Sequence, residues 1–102
     1  MKPRKQQIAI AKACGYTDCS ETGTYGTFNN KWIEIPDYLN DLNAMHEAEK
    51  VLPHKSLTQD YFNVGYGRYQ SILCEMSLTP FFATAAQRAE AFLRTLNLWK
   101  EE

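Results

Sequence analysis

The sequence predicts one small α+β domain, αβα-sandwich-like, in which a small sheet packs with amphipathic helices. Three observations carry that expectation. A chain of 102 residues has room for one hydrophobic core. Its apolar fraction of 44% and charged fraction of 23% are those of an ordinary globular protein. Its apolar residues recur at helical spacing over most of the length, interrupted by one β-branched, aromatic stretch.

The first helix is expected over Pro3 to Cys14. Proline is tolerated in a first turn, and Gly15 is placed to end the helix in a left-handed conformation. Ile8, Ala11 and Cys14 should line its buried side. Tyr16 to Asn30 is rich in Thr, Gly, Ser and Asn, which signals turns or a ragged hairpin, with a short strand over Tyr25 to Phe28. Trp32 to Ile35 reads as a second strand, closed by Pro36. A helix from Pro36–Asp37 to Leu52 follows, with Asp37 as its candidate cap. Tyr38, Leu42, Met45 and Leu52 fall on its apolar face, and Asn43, His46, Glu47 and Lys50 on the others.

Ser56-x-x-Gln59 has the form of a capping box opening a third helix. Gly65 and Gly67 each cost about 1 kcal/mol in a helix interior, so that helix should bend or break there; an aromatic hairpin is the alternative. The last helix has the clearest start. Thr84-x-x-Gln87 is a capping box, and Ala85, Ala89, Phe92, Leu96 and Trp99 form one stripe.

A net charge of −1 and scattered Lys and Arg argue against a duplex nucleic-acid partner, which wants a basic face. No stretch approaches the ~20 apolar residues of a membrane span, and Met1–Ile10 lacks the apolar core of a signal peptide. A cytoplasmic location is expected. Three cysteines, Cys14, Cys19 and Cys74, agree with it, since they match no disulfide framework.

Chemistry-bearing patterns are few. Cys14-x4-Cys19 has no second close pair to complete a zinc site, so no metal is expected. None of the cysteines has a local base, and core or half-buried thiols are the expected outcome. Gly65-Tyr66-Gly67 lacks the frame and the lysine of a phosphate loop. No cofactor is implied. His46 with Glu47 and Glu49 reads as a solvated or interface histidine. Asp41 and Arg88 fall at the edges of their helices' apolar stripes. They read either as a boundary or mutually paired couple, or, for Arg88, as an anion-binding group whose donor fork suits phosphate. Asp60 to Tyr69 gathers Tyr61, Phe62, Tyr66, Arg68 and Tyr69, a set that fits core packing or, with Arg68, a base and its phosphate. Trp32 and Trp99 read as core.

Three stretches resemble the phage ABA sandwich family: Ala11-Lys-Ala-Cys-Gly-Tyr16, the long run Ile35-Pro-Asp-Tyr-Leu to Val-Leu52, and Ala83-Thr-Ala-Ala-Gln-Arg to Asn-Leu-Trp99. Thr17 to Glu34 and Pro53 to Phe82 match poorly. Some small phage proteins of this look resemble the Thoeris anti-defence sponges, which hold a cyclic ADP-ribose signal without cleaving it. Some of them also bind cyclic oligonucleotides, at separate sites in a hexamer. The resemblance implies a non-enzymatic phage protein acting in the infected host's cytoplasm, a homo-oligomer (dimer or hexamer) with a small nucleotide partner. It places Asn43 and Arg88 in ligand binding, with Trp32 as stacking group and Arg68 as a second arginine. A protein-interaction or assembly factor is the alternative, its exposed aromatic patch expected over Tyr61 to Tyr69. A small nucleotide-degrading enzyme is a third reading.

Overall fold

Two helices of this chain end in the same way, and those endings set the path of everything that follows. In the computed structural model, which describes residues 1–52, 65–77 and 83–101, helix α1 spans Pro3–Ala13. Its C-cap is Cys14, and Gly15 follows at φ +105°. The Gly15 amide donates to the Lys12 carbonyl and the Tyr16 amide to the Ala11 carbonyl, at 3.1 and 3.0 Å. This is a Schellman closure, in which a left-handed residue turns the chain so that otherwise orphaned carbonyls are satisfied. Gln7, Ile10 and Ala11 form the buried face. Ile8 is only half-buried.

The chain then turns through Asp18 to Thr24 into a hairpin of β1 (Tyr25–Phe28) and β2 (Lys31–Glu34). The register pairs Phe28 with Lys31 and Tyr25 with Glu34. Asn29 and Asn30 make the connection at φ +52° and +64°. Two consecutive left-handed residues are what a two-residue hairpin with right-handed strand twist demands, and asparagine adopts them readily. β2 thus begins and ends one residue earlier than its sequence suggests, because the turn consumes Asn29 and Asn30 only. Gly26 lets the strand approach the core: a Cβ there would lie 3.2 Å from Ile35 Cδ1 and 3.3 Å from Tyr16 Cδ1.

Helix α2 (Leu42–Glu49) starts well after Pro36. Residues 37–40 form a turn first, in which the Asp37 carboxylate accepts from the Asn40 side chain. The N-cap is Asp41, whose carboxylate accepts from the Asn43 amide at 2.9 Å. Leu42, expected on the apolar face, is exposed, while Tyr38, Met45 and Leu52 are buried.

Helix α3 (Tyr66–Ser77) begins directly after Gly65, so the glycine pair marks its start. The Ser56 capping box and the aromatics at 61 and 62 lie outside the described residues. Helix α4 (Ala85–Thr95) has the reciprocal capping box at Thr84 and Gln87. It closes like α1, with Asn97 at φ +60° and the Leu98 amide donating to the Leu93 carbonyl.

α4 is the central element and packs against α1, α2 and α3. Ala89, Ala91, Phe92 and Leu93 are fully buried in a core shared with Ile10, Met45, Tyr69 and Leu73. Small alanines on α4 let the neighbouring helices approach closely. The Thr95 hydroxyl, also buried, donates to the Ala91 carbonyl at 2.7 Å. The architecture is a single-domain α+β fold, with four helices and a two-stranded antiparallel sheet among the described residues. No helix among these residues is long and apolar enough to cross a membrane.

Candidate functional site

Two polar constructions stand out inside this frame, and both centre on polar side chains buried on helix faces. The first belongs to Gln7, on the buried face of α1. Its amide nitrogen donates to the carbonyls of Gly23 and Pro36, and its amide oxygen accepts from the Tyr38 backbone amide at 3.1 Å. One side chain therefore ties α1 to the loop before β1 and to the turn before α2. Gly23, at φ +73°, makes this possible: a Cβ there would lie 2.9 Å from Gln7 Cγ.

The second construction centres on Glu49, in the last turn of α2. Glu49 Oε1 accepts from Arg88 Nη1 at 2.8 Å and from the Tyr69 hydroxyl at 2.5 Å. Glu49 is 6% exposed, Arg88 8% and Tyr69 not at all. Three helices thus meet at one carboxylate oxygen. A buried carboxylate is tolerated only when paired and hydrogen-bonded, and this one has both a cation and a neutral donor. Burial, with Glu49 as acceptor, pushes the Tyr69 phenol far above its ordinary range, so Tyr69 stays a donor. On the outer side, His46 Nδ1 lies 3.5 Å from Glu49 Oε2, with the imidazole about half exposed.

This arrangement replaces the Asp41–Arg88 pair that the helical wheel suggests. Asp41 sits outside the helix as its cap, so its side chain is engaged with the Asn43 amide. Arg88 reaches the carboxylate eight positions further on.

The other sequence-derived site residues lie apart from this cluster. Trp32 is 59% exposed on β2, which overturns its reading as core. Its ring lies nearly parallel to that of Tyr25, with centroids 6.3 Å apart and 14° between planes. Asn43 is exposed in the first turn of α2, and Arg68 is exposed near the start of α3. Arg68 lines a cleft of about 630 Å³ between α3 and the end of α4, with Glu75, Glu90, Arg94 and Trp99 among the other walls. Of Trp32, Asn43, Arg68 and Arg88, that cleft is lined by Arg68 alone.

The expected aromatic patch over Tyr61 to Tyr69 is not exposed where it is described: Tyr69 is fully buried and Tyr66 half-buried, their centroids 5.7 Å apart. Cys14 and Cys19 are half-buried and Cys74 is exposed, so the last departs from the expected buried thiol. Desolvation raises the Cys14 thiol above its ordinary value, and a hydrogen bond from Tyr38 partly offsets this. Among the described residues no group of three or more His, Cys, Asp or Glu side chains is placed to hold a metal ion.

No protein-family model, curated protein or solved structure matches the chain.

Proposed function

We propose that this is a phage-encoded, non-catalytic protein that sequesters a cyclic nucleotide immune signal, of the cyclic ADP-ribose or cyclic oligonucleotide class, and so blunts the host's anti-phage defence. The observation that carries the reading is the solvent-facing Tyr25–Trp32 stack, 6.3 Å between centroids. An exposed indole backed by a second ring is a flat, rigid surface on which a purine can stack. Such stacking is worth about 1–3 kcal/mol per base. The resemblance of two helix stretches to the phage ABA sandwich family adds to the case.

Exposed Asn43 and Arg68 supply the hydrogen-bonding and cationic groups that a ribose and a pyrophosphate need. They lie on different elements from Trp32, and this reading takes the complete site to form between copies of a homo-oligomer. Arg88 acts from below. Its guanidinium holds Glu49, and through Glu49 it fixes the helix that carries Asn43.

The test is a depletion-and-release assay. The purified protein is mixed with a panel of cyclic ADP-ribose isomers and cyclic oligonucleotides, free ligand is measured, and the protein is heat-denatured. The expected result is depletion of one ligand followed by its intact release, and loss of depletion in Trp32→Ala and in the Asn43→Ala/Arg68→Ala double variant. Altered products would show an enzyme instead.

A second reading, a protein-docking factor, is favoured by the same exposed hairpin. Tyr25 and Trp32 project from a sheet whose β2 edge pairs with no other strand among the described residues. No depletion of any ligand, together with a stoichiometric protein partner lost in Trp32→Ala, would establish that reading.

A further inference from the structure

We propose that the outer edge of β2 pairs with the β2 edge of a second copy of this chain, antiparallel and about a two-fold axis at Ile33. The hairpin treats its two edges differently. The β1 edge is covered by the preceding loop. Thr27 and Thr17 exchange both backbone bonds at 2.8 Å, the Tyr25 carbonyl accepts from the Ser20 amide at 2.8 Å, and the Tyr25 amide donates to the Ser20 hydroxyl at 3.1 Å. The β2 edge pairs with no other strand among the described residues, and Lys31, Trp32, Ile33 and Glu34 are all exposed.

The register shows which groups that edge offers. Thr27 lies opposite Trp32, and Tyr25 opposite Glu34. In an antiparallel pair, residues directly opposite either bond each other or both point their amides and carbonyls away. Thr27 and Tyr25 direct theirs to Thr17 and Ser20, so Trp32 and Glu34 direct theirs outward. The strand carries neither proline nor bulge, and its charges lie only at its ends. Between them it shows an apolar side chain on each face, Trp32 at 59% and Ile33 at 37% exposure.

Charge selects the partner. β2 begins with Lys31 and ends with Glu34. Antiparallel pairing of two copies lays each basic end beside the partner's acidic end, whereas parallel pairing lays like beside like. With the axis at Ile33, Trp32 exchanges both backbone bonds with the partner's Glu34, and the two Ile33 side chains meet across the axis. An axis at Glu34 would set two carboxylates opposite each other. One at Trp32 would need extended backbone at Asn30, which the turn holds at φ +64°. Because the β1 edge is covered, pairing closes at two copies and does not run on into a filament. The joined sheet carries the Tyr25–Trp32 stacks of both copies on one face. Where it names the copies between which the nucleotide site forms, the inference rests on that reading; the pairing itself rests on the hairpin alone.

So short an edge buries less than the roughly 1,200 Å² of a standard interface, and the dimer should therefore be reversible. Sedimentation of the intact protein from micromolar to millimolar concentration, with no nucleotide present, should show a monomer–dimer equilibrium. Over the same range the Trp32 and Glu34 amides should gain protection from hydrogen exchange, while the Ile33 amide, which faces β1, should not. Ile33→Lys and Ile33→Glu should each weaken the dimer at least about tenfold, since like charges then meet across the axis. An equal mixture of the two should restore it. Circular dichroism checks that each variant is folded. A native protein that stays monomeric to millimolar concentration, a dimer as tight in Ile33→Lys as in the native chain, or protection of these amides only by an extended peptide of another protein would each overturn the proposal. Dimerisation without nucleotide depletion would retain the pairing and reject the ligand reading. Depletion by a native monomer would do the opposite.

Discussion

Replacing Arg88 by alanine removes the cation that neutralises a carboxylate buried between three helices. Glu49 would be left with the Tyr69 hydroxyl and, at 3.5 Å, the exposed His46 imidazole. Neither supplies a permanent positive charge. Breaking a buried pair from one side typically costs about 3–5 kcal/mol, because the remaining charge is stranded in a medium that cannot solvate it. Domains of this size have a total stability of roughly 5–15 kcal/mol, so the loss would consume a large share of it. At roughly 4–8 °C per kcal/mol, the melting temperature should fall by about 12 °C or more. Urea and thermal unfolding followed by far-ultraviolet circular dichroism measure both quantities. The double variant Glu49→Leu/Arg88→Met should regain most of the loss, since two apolar side chains of similar size need no solvation. A loss under about 1 kcal/mol in Arg88→Ala, or no recovery in the double variant, would refute the assignment of a buried, mutually dependent pair.

Gln7→Leu should cost about 1–3 kcal/mol, because the Tyr38 amide and the Gly23 and Pro36 carbonyls lose a buried partner; urea midpoints within error of the native value would contradict that. Gly23→Ala should cost at least about 1–2 kcal/mol, from the left-handed backbone and the contact with Gln7, read in the same assay. Thr84→Ala should cost about 1 kcal/mol through loss of the α4 cap, while the exposed Trp32→Ala should leave the melting temperature within a few degrees. At alkaline pH stability should fall. Burial first, then the carboxylate acceptor, raises Tyr69, and burial raises Cys14. For each, the folded state holds the proton more tightly than the unfolded chain. Their contribution is complete below the unfolded values of about 8.5 for a thiol and about 10 for a phenol, and it is lost as pH rises above them. Urea midpoints at pH 7, 9 and 10.5 check this, and a midpoint that held or rose to pH 10.5 would reject it.

What the sequence conveyed well was local chemistry. Gly15 as a left-handed terminator, the Thr84–Gln87 box and the strand at Tyr25–Phe28 each depend on residues adjacent in the chain, and each is present. The start of α2 was misplaced because two aspartates compete for the cap. Pro36–Asp37 has the form of a helix start, but the Asp37 carboxylate is engaged by the Asn40 side chain, whereas Asp41 accepts the Asn43 backbone amide as a cap does. The helix therefore waits for Asp41. That displacement explains the missed ion pair. A wheel drawn through Asp41 treats it as helical when it is not, and Glu49, eight residues later, points about 80° away from the position Asp41 would have had. Gln7 was invisible for a similar reason: a polar residue on an apolar face looks like an error until its three distant partners are known.

The separation of these groups bears on how binding and folding divide the chain. Arg88 and Glu49 are inside, where a substitution changes stability. Trp32, Asn43 and Arg68 are outside, where removal of a side chain costs the fold little. If Arg88 contacted a ligand directly, its guanidinium would have to leave Glu49, and the ligand would have to offset the stranded carboxylate from its own binding energy. A positioning role requires no such exchange. The Glu49→Leu/Arg88→Met variant distinguishes the two cases, because it restores the packing without restoring the cation. Nucleotide depletion that survives in this variant but fails in Trp32→Ala would place the ligand on the hairpin surface. Depletion lost in both folded variants would bring Arg88 into contact with the ligand after all.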